Sequence, residues 1–412
     1  MVKLSRYILV FIGIMAAAIA IPQLYWTIFR EAASTPNIVY SRVLDDFMMI
    51  KRQDGLLVRM DAQGNVYSRS DFEEKLPLLF FRQLYATGEM PDTIDGVPMN
   101  HSELSLHSSN FTFRPVDMNT PRPVLWPLLE SRSGRVGLEL PEDYFRLKDR
   151  IEFIVAETNS VKKGKSRVFN DALIAEGFEF PARLIGGLPT ARKNEEEGYF
   201  VKDNSGDIFH LMMVRGEPFV KRIDIPEHKN IVHIECVDLA TREYYAFLFT
   251  DDNGIYLLMQ DEYRLQRLPI KGYDRETHRL RVREDLLHKT ITITGDDHTR
   301  VTVADSNYKV IDIYDDQWES SYQRRDHVIF SALFPFQVNV LTPDSRYVGL
   351  NFFWPKGYAW LLTNLVFAGL AIWQLKRKDR RMRSNITDLL IIIITGIFGY
   401  ISTRVFPNKF YD

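Results

Sequence analysis

The chain has 412 residues, 45% of them hydrophobic and 26% charged, with a formal net charge of −2, a composition that leaves ample apolar material for a core. Near-neutral charge, with no aromatic-interleaved basic patch, gives no field for nucleic acid, so no nucleic-acid partner is expected. The single cysteine, Cys236, excludes an intramolecular disulfide and any CxxC zinc or redox motif.

The first predicted element is a membrane span. Tyr7 to Phe29 is a stretch of 23 residues without charge, enough helix to cross about 30 Å of hydrocarbon. Lys3 and Arg6 form a basic start, and Ala18-Ile19-Ala20 resembles a signal-peptide cleavage site. The apolar run continues through Leu24, Tyr25, Trp26 and Phe29, where a cleaved leader would turn polar, so residues 1–30 are expected to persist as an anchor. Gly13, Ala17 and Ala20 mark a small-residue face suited to close helix contact.

Residues 31–356 read as a mainly β exported domain. The segments NIVHIECVDL, REYYAFLFT, THRLRVRED, KTITITGDD and YKVIDIYD are short, rich in β-branched or aromatic residues, and separated by turn residues. In the first of them Val232, Ile234 and Cys236 alternate with His233 and Glu235, which places the thiol on a buried strand face. Asp61 to Gly64, Asp203 to Gly206 and Asp251 to Gly254 share a turn chemistry that reverses the chain before an apolar strand, and Gly295 to His298 is a weaker copy. Gly206 to Gly254 is 48 residues, Gly254 to His298 is 44, and Gly64 to Gly206 is 142. A step of about 40–50 residues of antiparallel strands is that of a propeller blade, so a distorted β-propeller-like domain of about six or seven blades is expected. A β-sandwich or a mixed β domain with helices is the alternative.

Between Leu78 and Lys193 the repeat is lost. That stretch holds a proline-rich connection and a predicted helix from Ser166 to Glu176, with Ser166 as N-cap, Val168, Phe169, Ala172 and Leu173 as its apolar stripe, and Gly177 as its end. Farther on, Asp315 to Phe330 reads as helical, and Phe336–Leu341 and Tyr347–Phe352 as a hairpin across Thr342-Pro343-Asp344-Ser345.

Two more spans are predicted, Gly357 to Leu375 and Ile386 to Phe406, the latter with Asp388 and Arg404 close to the interfaces. The loop between them, residues 376–385, carries Lys376, Arg377, Lys378, Arg380, Arg381 and Arg383 against Asp379 alone. By the positive-inside rule this loop is cytoplasmic; Lys3 and Arg6 put the N-terminus on the same side. Three transmembrane α-helices in a bacterial inner membrane would then leave residues 31–356 periplasmic and residues 407–412 as a short exported tail. Thr395, Gly399 and Thr403 form a small-residue face on the third span, and Asn364 within the second can hydrogen-bond a neighbour. Such faces pack the spans together or dock another membrane protein, and membrane lipid is an expected partner in either case.

No catalytic signature emerges. His228 and His233, the closest histidine pair, lack the helical spacing of a zinc site, and Asp203, Ser205 and Asp207 resemble half a calcium loop whose twelfth position is Val214 rather than an acid. Glu195-Glu196-Glu197 reads as a solvated loop face. Without a GxSxG elbow, a GxxxxGK[ST] loop or a GxGxxG turn, no catalytic, cofactor or metal residue is assigned, and a non-enzymatic protein is expected.

The run EGFEFPARLIGGLPTARKNEEEGYFVKDNSGDIFHL, together with the C-terminal succession of strand, aromatic residues, span, basic loop and span, resembles a domain-of-unknown-function family of bacterial membrane proteins. That resemblance covers nearly the whole chain and implies association with ABC-type transport components, an ATPase and a permease. It implies an accessory or scaffold role; an envelope ligand-binding or sensor module is the alternative.

Overall fold

The computed structural model describes all residues except 1, 31–34, 54, 121–123, 133, 135–136, 227–228, 342–347 and 409–412. The chain is mostly β, folded in many small antiparallel sheets. After α1 (Val2–Phe29) come β1 (Asn37–Ser41), β2 (Asp46–Gln53) and β3 (Leu56–Asp61), one sheet. A connecting segment follows: α2 (Arg69–Glu74), α3 (Pro77–Thr87), the small hairpin β4 (Thr93–Ile94) and β5 (Val97–Pro98), α4 (His101–His107), β6 (Ser109–Phe113) and α5 (Pro115–Asn119). Next comes the sheet of β7 (Trp126–Pro127), β8 (Asp143–Leu147), β9 (Ile151–Val155) and β10 (Ser160–Val161), covered by α6 (Lys163–Ala175). Then follow β11 (Leu184–Gly187), β12 (Tyr199–Lys202), β13 (Ile208–Val214) and β14 (Glu217–Ile223). A further sheet holds β15 (Ile231–Cys236), β16 (Tyr244–Thr250), β17 (Ile255–Met259) and β18 (Leu265–Arg267). The last large sheet has β19 (Arg279–Glu284), β20 (Lys289–Thr294), β21 (His298–Ala304) and β22 (Val310–Gln317), with β6 added beside β19. Beyond it lie α7 (Arg325–Leu333), the hairpin β23 (Gln337–Asn339) and β24 (Asn351–Phe353), α8 (Trp360–Arg377), α9 (Ile386–Thr395) and α10 (Ile397–Val405).

The large sheets stack face to face in an arc. Phe145 and Phe153 meet Tyr199 and Phe209 between the β7–β10 and β11–β14 sheets. Phe200 and Ile208 meet Ile234 and Leu248 at the next contact, and Phe247 and Leu257 meet Leu280 and Ile293 at the third. Val301 and Val303 then pack on Ile38 and Phe47 of the β1–β3 sheet. The arc is propeller-like, but among the described residues it has five such sheets rather than six or seven. The β1–β3 sheet ends on Phe72 of α2 and Leu76 at the start of α3, so helices stand where further sheets were expected.

Several expectations change locally. The Asp61–Gly64 turn leads into a single bridge, Met60 to Val66, and then a helix, so it is not a hairpin. The other three turns join β12 to β13, β16 to β17 and β20 to β21. The corresponding connection in the earlier sheet, β8 to β9, runs through Lys148-Asp149-Arg150 and lacks glycine, which hid it from the repeat. Helix α6 begins at Lys163, and Ser166 lies inside it; its hydroxyl donates to the Lys162 carbonyl and accepts the Phe153 N–H at 2.9 Å. Val168 faces solvent, while Gly177 at φ +88° ends the helix as expected. The segment from Asp315 splits into the end of β22 and the separate α7. A bulge between Ile231 and His233 turns Val232 onto the face opposite Ile234 and Cys236; the thiol is buried. The Thr342–Ser345 turn, and His228 of the histidine pair, lie outside the described residues.

Candidate functional site

Two features concentrate chemistry, the helical bundle and a cavity inside the arc. Among the described residues, one helix is long and apolar enough to cross a membrane, Lys3–Phe29 of α1. Helix α8 has 18 residues and ends in Lys376 and Arg377. The third predicted span, residues 386–406, is not one helix. It breaks at Gly396 (φ 58°, ψ −130°) into α9 of 10 residues and α10 of 9. At 1.5 Å per residue each is about 15 Å long, half the hydrocarbon thickness. The two run back to back, because the Arg6 guanidinium reaches both Asp388 at the start of α9 and the Phe406 carbonyl after α10. Asn408 Nδ2 likewise donates to the Ser384 carbonyl at 3.1 Å. Pro407 and Asn408 therefore lie beside the basic loop, not at the far end of the bundle where a third crossing would leave them; residues 409–412 of the expected tail are outside the described residues.

The predicted packing residues divide by what they touch. Gly13 lies where α1 meets α10, and a Cβ there would stand 3.0 Å from Ser402 Oγ and 3.3 Å from the Phe406 ring. Ala17 borders the same core, whereas Ala20 is exposed; the buried face of α1 runs through Val10, Ile14 and Ala18. Asn364 is buried and donates Nδ2–H to the Ile393 carbonyl at 2.9 Å, while its Oδ1 has no partner and overlies Gly396. Thr395 and Thr403 donate within their own helices, to Ile391 and Gly399 carbonyls at 2.6 and 2.8 Å. Because the break separates Thr395 from Gly399 and Thr403, they are not one stripe; Gly399 allows α10 to close on α9 against Thr395 and Ile391.

The charged positions divide as well. Lys3, Lys376, Arg377, Lys378, Arg381 and Arg383 are exposed and Arg380 half-buried. Arg6 instead is buried, and Asp388 is its partner rather than a snorkelling interfacial acid. Arg404 is exposed and lies over the Tyr400 ring. At the other end of α1, Tyr25 Oη donates to the Asp326 carbonyl at 2.6 Å, Trp26 stacks on Phe330 at 4.6 Å, and Thr363 Oγ1 donates to the Ala332 carbonyl. Helix α7 thus joins the β domain to α1 and α8.

Inside the arc, the strands β6, β7, β11 and β15 face a cavity of about 730 Å³ bordered by Trp126, Arg192, His233 and Glu235. His233 Nε2 lies 3.1 Å from Glu235 Oε2. Next to Lys193 at its rim, the Glu195–Glu197 run is only partly the solvated face expected, with Glu195 exposed and Glu196 buried. Glu196 and Lys193 are buried together with N···O 2.8 Å, and the Gly198 N–H donates to Glu196 Oε1. Burial pushes the Glu196 carboxyl above its ordinary range, against the Lys193 charge beside it. Glu197 pairs with Arg242 at 2.7 Å. Nearby, fully buried His210 donates Nε2–H to the Glu197 carbonyl at 2.6 Å and accepts from Tyr263 Oη at 2.9 Å; burial lowers its pKa to about 4. Sequence spacing alone showed neither arrangement: Lys193 and Glu196 are three residues apart in one loop and pair because the fold buries them, while His210 draws its partners from the Glu197 loop and from Tyr263 after β17. Among the described residues no group of three or more His, Cys, Asp or Glu stands together as a metal site.

No curated protein matches the chain. Solved structures that align with it include the Dos1 propeller, at 11% identity over 45% of this chain and 46% of that one, and the dihydro-heme d1 dehydrogenase NirN in complex with DHE, at 10% identity over 79% and 57%. The chain thus spans about half the length of either, and TM-scores of 0.25 and 0.27 are too low for these alignments to define the fold. A family match covers residues 37–304, the five stacked sheets through the end of β21 with their connecting helices, and by it this chain belongs to the family described as Domain of unknown function (DUF4857).

Proposed function

We propose that the chain is a non-enzymatic integral protein of a bacterial inner membrane, with the β arc on the periplasmic side, acting as an accessory or scaffold subunit of an ABC-type transport complex. The observation that carries the membrane reading is the inverted polarity of the bundle. Ile8, Phe11 and Ile12 on α1 and Leu362, Leu365 and Val366 on α8 point outward, while Arg6, Asp388, Asn364, Ser402 and Thr403 are buried. Water would favour the reverse distribution; hydrocarbon favours this one. The exposed basic loop supports a cytoplasmic location for that end, and in this arrangement α9 and α10 form a re-entrant half-span hairpin, a backbone turn tolerated at membrane depth only where protein covers it. Asn364 covers it from within the chain. A polytopic partner is the natural cover for the remaining surface, and the ATPase and permease implied by the resemblance supply the class of complex.

The experiment is to tag the protein in its native cell, extract it in mild detergent and identify stoichiometric companions by mass spectrometry. Co-purification of an ATPase and a polytopic permease is expected. Recovery of the chain alone would sink the accessory role and favour the second reading, an envelope ligand-binding module, which the 730 Å³ cavity supports.

A further inference from the structure

Strand β19 carries Arg279, Arg281 and Arg283 at alternate positions, so all three stand on one face of the last sheet. Its other face, with Leu280 and Val282, belongs to the core. Beside the arginines in register are Thr294, Thr292 and Thr290 on β20, and on β6 Thr112 and Asn110 stand opposite Arg281 and Arg283. Asn110 and Thr112 are exposed and the three arginines half-buried, so the face can be reached.

Several arginines elsewhere find acids: Arg6 has Asp388, Arg150 has Glu152, Arg300 has Asp315. Here, among the described residues, none of the three guanidinium groups has a hydrogen-bond or ion-pair partner, and the Arg281 Nε is buried with none. Burial, and then the charge of Arg281 between them, hold Arg279 and Arg283 below the usual guanidinium range, with Asp285 pulling Arg283 the other way without offsetting them. Like charges lined up about 7 Å apart repel, and buried donors left unmade are costly. Such an arrangement departs from what stability alone selects, which is where binding sites are found. At the Arg283 end a cavity of about 220 Å³ opens, bordered by Tyr40, Asn110, His288 and Thr290. Its two acids are already engaged: Glu284 by Ser109 and Lys289, Asp285 by the N–H groups of Leu287 and His288.

We propose that this face binds a ligand carrying two or more oxyanion groups, phosphate or carboxylate, spaced about 7 Å apart to match alternate residues of β19. Arg281 and Arg283 grip successive groups with their planar forks, and Thr292, Thr112 and Asn110 complete the hydrogen bonds. The proposal concerns the exported arc and is independent of any membrane partner.

The test is calorimetric titration of the full chain in detergent at low salt with inorganic tripolyphosphate, trigalacturonate and orthophosphate. Saturable binding of at least one of the first two is expected, at least tenfold tighter than orthophosphate, and which one binds separates a phosphate source from an acidic sugar. Arg281→Gln and Arg283→Gln should each weaken it at least tenfold, while Arg267→Gln, an equal charge loss at an exposed site on another sheet, should not. Melting of the free Arg281→Gln protein at or above the wild-type temperature would confirm that it folds and that the removed charge was repulsive. Absence of saturable binding to both multivalent probes, or undiminished binding by folded Arg281→Gln and Arg283→Gln, would overturn the proposal.

Discussion

Arg6 and Asp388, 382 positions apart, close a two-pronged ion pair, Nη1 to Oδ1 at 2.9 Å and Nη2 to Oδ2 at 2.6 Å, nearly sealed from solvent. Arg6 Nε adds a bond to the Phe406 carbonyl at 2.9 Å. One guanidinium therefore ties the start of α1 to both ends of the hairpin.

Asp388→Asn should leave that guanidinium buried without its counter-charge and cost about 3–5 kcal/mol. Replacing both residues with apolar ones, Arg6→Met with Asp388→Leu, should recover most of the loss. Thermal unfolding in detergent reads both; a single variant as stable as wild type would show the pair to be incidental.

Gly396→Ala should open the hairpin. Its φ of 58° with ψ of −130° is a conformation only glycine adopts readily, and a Cβ would overlap Asn364 Oδ1. Trimming Asn364 to Ala in the same chain relieves the overlap but not the backbone cost, so only partial rescue is expected. Protease accessibility of the hairpin in membranes distinguishes the two variants from wild type.

Reporter fusions test the re-entrant geometry directly. A reporter appended after Asp412 should read cytoplasmic, like one placed before Met1. One inserted between Ala240 and Thr241, in the turn joining β15 to β16 where Ala240 is exposed, should read exported. An exported signal from the fusion after Asp412 would restore a third full crossing and remove the hairpin.

Lys193→Ala strands the Glu196 carboxylate in a site that already disfavours its charge. A loss of about 3–5 kcal/mol is expected, read as a lowered melting temperature. Lys193→Met with Glu196→Leu should be far milder if the pair, and not the loop's packing, is responsible.

His210 makes a pH prediction. Its folded pKa of about 4 lies below the ordinary 6.5, so the unfolded chain takes up the proton first. Its contribution is fully present above pH 6.5 and fades as pH falls toward 4, about 3 kcal/mol in all. His210→Phe should flatten that part of the stability curve; an unchanged slope in denaturant titrations across this window would assign it to other groups.

Where period and turn chemistry act locally, the sequence was legible. β15, β16, β19, β20 and β22 lie where their composition put them, with the alternation of β15 broken only at Val232 by its bulge, and Gly206 sits in the turn that its Asp-Asn-Ser-Gly context specifies. What escaped depended on the surrounding fold. Hydropathy measured the apolar length of residues 386–406 but not its direction, because a re-entrant pair and a full span have the same composition; the sign of the break was a single glycine facing Asn364. Glu196 looked solvated since its salt bridge is decided by the fold around Gly198 and not by the acidic run itself. The arginines of β19 read as ordinary strand polarity until register placed threonines, rather than acids, beside them.

Strand β6 precedes the β7–β10 sheet in the chain yet completes the last large sheet, pairing Ser109–Phe113 with Leu280–Glu284. A stack whose members touched only their sequence neighbours could fray one layer at a time from either end. This stitch, together with the packing of the β1–β3 sheet on β21, spans the three intervening modules and binds early chain to late. Melting should accordingly be all-or-none across the arc, and a nascent chain cannot finish its early segment until residues about 170 positions later have emerged.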